Sequence, residues 1–186
     1  DQILLQGGAT FDGMLYFDAT DKGTAAAPIK VGTYGSGRAI VRNTSQPAIY
    51  AFNTAGISIS NLELVGRYNS SSPSNLSGMP DGIAFYTTLP NNVKLPFIKL
   101  DNLIVRNFNR GIAIGSNNFS TGYKDVSITN SQVYNNLRGG VITYAAARNV
   151  HENVYVANVK TWNNTGVPFP AGTTPSEISG NGIVLA

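Results

Sequence analysis

A chain of 186 residues suffices for one domain, and no run of 18 apolar residues interrupts it, so nothing reads as a membrane-spanning helix. Only 12% of residues are charged against 42% hydrophobic, with 20 glycines and no cysteine. This profile suits many short strands joined by tight turns and excludes a small disulfide-stapled domain. The net charge of +3 and pI near 9.2 come from basic residues scattered singly, a pattern that disfavours nucleic acid and favours acidic polymers.

In chain order, Asp1 is followed at once by an apolar strand, Ile3-Leu4-Leu5, and a Gly7-Gly8 turn. GISISNLELVGRYN, from Gly56, opens a pattern that returns after an inserted loop as FIKLDNLIVRNFNRGIAIGS from Phe97, DVSITNSQVYNNLRGGVITY from Asp125 and NVYVANVKTWNNT from Asn153. Asn102, Asn130 and Asn158 stand 28 residues apart, as do Asn107, Asn135 and Asn163. A fixed period of this length means stacked supersecondary units. Within each unit apolar residues alternate, pivot at an Asn, alternate again, pivot at a second Asn, and enter a third run such as Gly111-Ile112-Ala113-Ile114. Alternation is a strand signal, and three short strands with three turns make one coil of a parallel β-helix. The fold class is therefore all-β, a parallel β-helix solenoid of three-strand coils with about 28 residues each. Ile98, Leu100, Val105, Val126, Ile128, Val133, Val154 and Val156 are expected to line its interior, with Lys99, Ser127 and Tyr155 outside. No long helix is expected between Phe97 and Trp162.

Stacked coils lie about 4.8 Å apart, so the Asn columns have a structural reason. Their amides can bond one another, and Asn tolerates the left-handed turn conformation. The last residues, Gly182 to Ala186, begin a strand and stop, whereas solenoids normally end in atypical caps. Residues 1–186 are accordingly read as a single β-helix segment, an internal piece of a longer chain, whose partners include further coils or domains of that chain. Sequons at Asn43, Asn69, Asn75, Asn118 and Asn163 follow from the Asn- and Ser-rich composition and matter only in a eukaryotic host.

The stretch Asp1-Gln2-Ile3, Gly7-Gly8, Gly23-Thr24-Ala25-Ala26-Ala27-Pro28-Ile29-Lys30-Val31 and Tyr34-Gly35 resembles the N-terminal coils of the pectate-lyase-like superfamily of right-handed parallel β-helices, in its bacterial members. The later I-x-N-x-x-V-x-N-x-x-x-G-I coils fit the same superfamily, so the resemblance covers nearly the whole chain and implies that its β-helix is right-handed. It implies a fold more sharply than a function, because lyases, hydrolases, epimerases, phage tail proteins and adhesins share these coils. Relatives resembling polygalacturonases carry N-T-D, D-D and G-H-G at successive turns, where paired carboxylates protonate the leaving oxygen and activate water. This chain has Pro80-Asp81-Gly82, Asn109-Arg110-Gly111 and Arg138-Gly139-Gly140 there. One acid remains, and the hydrolase machinery is incomplete.

Asp81, Arg110 and Arg138 flank the Gly of the third strand and are expected to form one column. Arg110 and Arg138 at equal register would stand about 5 Å apart, repelling unless splayed, screened or bridged by an anion. The resemblance implies that such arginines neutralise a uronate carboxylate and remove its α-proton, often with Ca²⁺ held by acids. A Ca²⁺ site at Asp81 with loop carbonyls is compatible with this, but no cofactor is assigned. The plain structural alternative is an Asp81–Arg110 surface ion pair beside a solvated Arg138. Two insertions, residues 67–81 and 164–181, fall before the third strand and would wall this column, since insertions in repeat arrays collect on one side. Gly139-Gly140 leaves two registers open, with Gly140 facing inward or a one-residue bulge, and so leaves the direction of Tyr144 open.

Arg106, Tyr134 and Trp162 share one outward repeat position, and Tyr155 faces out above Lys99 and Ser127. Such a row either binds sugar rings or rigidifies the sheet. The lone His151 sits in a loop between coils and reads as an inert, exposed imidazole. Two functions follow. One is a secreted polysaccharide lyase, extracellular or at the cell surface, acting on an acidic uronate-containing polymer with catalytic Asp81, Arg110 and Arg138 and with Arg106, Tyr134, Tyr155 and Trp162 holding substrate. The other is a non-catalytic β-helix, an adhesin or glycan-binding stalk.

Overall fold

The computed structural model describes residues 1–71, 76–167 and 180–186. Among these residues, eighteen strands wind through six coils of three. Coil 1 holds β1 (Gln2–Gln6), β2 (Thr10–Asp12) and β3 (Leu15–Phe17), and coil 2 holds β4 (Ile29–Tyr34), β5 (Ala39–Arg42) and β6 (Ile49–Phe52). Coil 3 holds β7 (Ile57–Ser60), β8 (Leu62–Val65) and β9 (Ile83–Thr87), and coil 4 holds β10 (Lys94–Asp101), β11 (Ile104–Arg106) and β12 (Arg110–Ser116). Coil 5 holds β13 (Gly122–Thr129), β14 (Gln132–Tyr134) and β15 (Gly139–Tyr144), and coil 6 holds β16 (Glu152–Ala157), β17 (Lys160–Trp162) and β18 (Asn181–Val184). First strands pair only with first strands, second with second and third with third, giving three parallel six-stranded sheets, here A, B and C. This is the parallel β-helix that the repeat predicts, and no helix occurs between Phe97 and Trp162.

The interior forms as the alternation requires. Ile98 pairs with Val126, Leu100 with Ile128 and Val105 with Val133, and all six are buried. Val154 and Val156 continue the column but are only half-buried, because coil 6 has a neighbour on one side. Lys99 is exposed, Ser127 intermediate and Tyr155 61% exposed, so the faces of sheet A fall as expected.

The Asn columns hold the turns by backbone conformation first. Asn102, Asn130 and Asn158 have φ of 54°, 50° and 52°, and Asn107, Asn135 and Asn163 have 68°, 54° and 52°. These are left-handed values that Asn tolerates better than most residues. Side-chain bonding is less uniform. Asn158 donates to Asn130 at 2.8 Å and Asn102 to Asn61 at 2.6 Å, but Asn130 turns to Asp101 at 2.8 Å. A further left-handed column, Phe97, Asp125 and Asn153 with φ of 71°, 56° and 52°, kinks sheet A just before its buried residues.

The open register at Gly139-Gly140 resolves into both alternatives at once. Val105 still pairs with Val133, but beyond the next corner Arg110 pairs with Gly139 and Ile112 with Val141. One residue has been added between. Asn136 is turned inward with no exposure, accepts the Phe108 N–H at 3.0 Å and donates to Asn164 at 3.1 Å, while the Leu137 N–H returns to the Phe108 carbonyl. Past that bulge Gly140 faces inward in line with Gly111. A Cβ on Gly111 would lie 2.2 Å from the Val133 methyl, and one on Gly140 would lie 2.5 Å from the Gly182 carbonyl oxygen. Neither position leaves room for a side chain.

Candidate functional site

The added residue corrects the expected arginine column. Arg138 does not stand at equal register with Arg110. Its N–H bonds the Asn109 carbonyl, and Gly139 occupies the place beside Arg110. The anticipated repulsion between stacked guanidiniums is therefore not built into the backbone register.

Arg110 instead pairs with Asp81 from the coil before. Its Nε donates to Asp81 Oδ1 at 2.9 Å and its Nη2 to Oδ2 at 2.6 Å. Oδ1 also accepts from the Arg110 backbone N–H and from Asn109 Nδ2, both at 3.2 Å. The two side chains are 10% and 25% exposed, so this is a part-buried bidentate pair and not the solvated surface pair that the sequence suggests. Burial disfavours the Arg110 charge, but the Asp81 carboxylate outweighs it and raises the guanidinium above the ordinary arginine pKa. Both Asp81 oxygens are thus committed to a cation already in place. Among the described residues, no three acidic or histidine side chains gather as a metal site would need.

The guanidinium lies over the Tyr144 ring, with Cζ 4.7 Å from its centroid. Tyr144 faces outward, paired with Gly115, and leans across that residue to stack on Tyr86, centroids 6.4 Å apart and planes at 27°. A Cβ on residue 115 would sit 2.1 Å from the Tyr144 Cζ, so the missing side chain makes the reach possible. Burial raises the Tyr144 hydroxyl pKa; Arg110 opposes that and Asp81 reinforces it. From Tyr86 the row continues to Phe52 at 6.4 Å, Tyr50 at 6.1 Å and Tyr16 at 5.8 Å. Five outward rings on sheet C thus run from coil 1 to coil 5, a length of about 19 Å, and end beneath the Asp81–Arg110 pair.

Sequence reasoning misses this strip. Tyr16, Tyr50, Phe52 and Tyr86 lie on third strands of coils whose spacing is longer than the 28-residue period. Only the register, Tyr16 to Tyr50 and Phe52 to Tyr86, brings them into line.

The other expected site residues lie elsewhere on the coil. Arg106, Tyr134 and Trp162 do share one register on sheet B. Tyr134 and Trp162 stack face to face, 4.2 Å apart at 9°, so their facing surfaces cover each other. Arg106 bonds Glu63 at 2.8 Å. Tyr155 stands alone on sheet A, beside Ser127. The structure therefore divides the seven predicted residues among three faces. The insertion walls are in part visible. Tyr68, Met79 and Leu137 pack together with Leu76 and Val167, and the Tyr68 hydroxyl bonds the Thr165 hydroxyl, joining the two insertions beside the Asp81 end of sheet C. Residues 72–75 and 168–179 of those insertions lie outside the described set.

His151 is not the exposed, partnerless imidazole of the sequence reading. It is half-buried, its Nδ1 accepts the Tyr123 N–H at 3.2 Å, and its Nε2–H donates to the Tyr144 carbonyl at 3.0 Å. Its ring stacks on Tyr123 at 6.0 Å. Burial pushes its pKa below the ordinary value; the Tyr144 carbonyl opposes this and Lys94 adds to it. The unfolded chain therefore binds a proton more readily than the folded one. Stability from this group is complete above about pH 6.5 and falls as pH drops through that value towards the lowered folded pKa. Thermal midpoints of the wild type and His151→Gln, measured from neutral to mildly acidic pH, should converge as pH falls. Parallel curves would refute the linkage.

No family model matches the sequence, and no curated protein matches it significantly. Among solved structures, a GH136 lacto-N-biosidase from Eubacterium ramulus superposes with a TM-score of 0.68 at 18% identity, over 86% of this chain and 35% of that one. This chain spans about a third of that enzyme's length. At such identity the likeness establishes the β-helix and nothing finer.

Proposed function

We propose that this protein is carbohydrate-active and holds a glycan lengthwise along sheet C. The observation that carries the reading is the five-ring strip from Tyr16 to Tyr144. Aromatic side chains offer a large rigid apolar surface with a polar tip, which suits the C–H face and hydroxyl rim of a sugar. The fold-level likeness to a glycoside hydrolase agrees with it. A polymeric substrate would place the protein outside the cell or on its surface. Oligosaccharide titration followed by NMR or calorimetry tests it. Tyr86→Ala and Tyr144→Ala should each weaken binding by about tenfold, and unchanged affinity in both would remove the strip as the site.

The lyase reading is a second, catalytic form of this proposal, favoured by the net charge of +3. It needs Arg110 to exchange Asp81 for a substrate carboxylate, with Arg138 close enough to assist and with Arg106, Tyr134, Tyr155 and Trp162 as outlying subsites. β-Elimination releases an unsaturated uronate that absorbs in the ultraviolet. Incubation with alginate, pectate and glycosaminoglycans would reveal it. Binding without such product from any acidic polymer leaves the glycan-binding stalk or adhesin.

A further inference from the structure

We infer that the glycan held on sheet C is uncharged. This rests on the glycan reading above and narrows its ligand class. Arg110, the cation at the head of the strip, has its bidentate edge filled by Asp81 at 2.6 and 2.9 Å and its face covered by Tyr144. The pair is largely withdrawn from water and its charges cancel. A uronate carboxylate arriving there would meet no open guanidinium fork, and it would face the Asp81 carboxylate directly behind.

The rest of the face agrees. Outward positions along sheet C include Tyr16, Tyr50, Phe52, Tyr86, Ile142 and Tyr144, all aromatic or aliphatic, with Ala84 and Ala113 as the floor between them. The other two sheets differ in kind. Sheet A carries Lys30, Lys99 and Glu152 outward, and sheet B carries Arg42, Glu63, Arg106 and Lys160. Apart from Arg110, which Asp81 neutralises, the outward strand positions of sheet C named above carry no charge, whereas the other two faces do. A neutral hexose or N-acetylhexosamine oligosaccharide fits such a surface, and a polyuronate does not.

The test is calorimetric titration of the 186-residue chain with neutral hexose and N-acetylhexosamine oligosaccharides and with oligogalacturonates of equal length, at low and high salt. Neutral oligosaccharides should bind with affinity that salt changes less than about twofold, and oligogalacturonates about tenfold or more weakly. Asp81→Asn, once shown folded by circular dichroism, opens the guanidinium and should raise oligogalacturonate affinity about tenfold, now in a salt-sensitive way. Preference of the wild type for oligogalacturonates, weakening with salt, would overturn the inference and leave glycan binding intact. Failure to bind any sugar would overturn both. A folded Asp81→Asn variant with no gain would overturn the role given to the pair. If that variant does not fold, the wild-type comparison of ligand class and salt decides alone.

Discussion

Replacing Asp81 by Ala should cost about 3–5 kcal/mol of folding stability, because it strands a part-buried guanidinium without its partner. The carboxylate receives four hydrogen bonds, two from the Arg110 side chain, one from its backbone and one from Asn109. Each of those donors would lose its acceptor in a place where water reaches poorly. The Asp12–Arg42 pair on sheet B is the internal control. It has similar geometry, 2.6 Å at its closest, but its side chains are 66% and 54% exposed. Asp12→Ala should leave the urea midpoint unchanged, since water replaces what is lost. Removing both buried partners together, as Asp81→Leu with Arg110→Met, should recover most of the loss. Equal small losses in Asp81→Ala and Asp12→Ala would show that burial does not set the worth of this pair.

Phe108→Ala should be as damaging, by about 3–5 kcal/mol. Phe108 has no exposure and fills the corner between sheets B and C. Two glycines have been cleared around it: Cβ atoms on Gly66 and Gly82 would fall 2.6 and 2.9 Å from its ring. Neither can fill the hole left by truncation, because neither has a side chain to move. Its backbone is pinned as well, the N–H held by the buried Asn136, so the turn cannot easily collapse into the space. Phe108→Leu keeps most of the volume and should cost less than about 1.5 kcal/mol. Urea unfolding separates these cases, and a loss below about 1 kcal/mol for the alanine variant would contradict the packing described here.

What the sequence makes legible follows from what repeats. The interior valines and isoleucines, and both Asn columns, recur at one spacing because neighbouring coils impose the same turn on the same residue, and periodicity reads them directly. The Asp81–Arg110 contact is legible as a pair, but its burial is not. That depends on Tyr144 leaning over Gly115, a contact between coils that no spacing predicts. The Arg110–Arg138 column fails for a single residue added after Asn136: Asn136 still matches Phe108 and Asn164 at a spacing of 28, whereas Gly139 stands beside Arg110 at 29. The aromatic strip is hidden for a different reason. Its members lie on coils of unequal length, so they align in space without aligning in sequence. Phe97 in a left-handed conformation is likewise unreadable, since a bulky side chain disfavours the geometry that Asp125 and Asn153 accept in the same column.

The corner between sheets B and C has one more property. Leu64, Val105, Val133 and Thr161 are stacked partners, and so are Ile83, Ile112, Val141 and Ile183. The same two ledges are thus joined by lengths of chain that differ from coil to coil, short in coils 4 and 5 and long in coils 3 and 6. Length at this seam is decoupled from the stacking of the sheets beside it. A chain built this way can vary the loops that enter sheet C while keeping the sheet itself. The seam is accordingly the natural place to graft foreign recognition loops onto the coil.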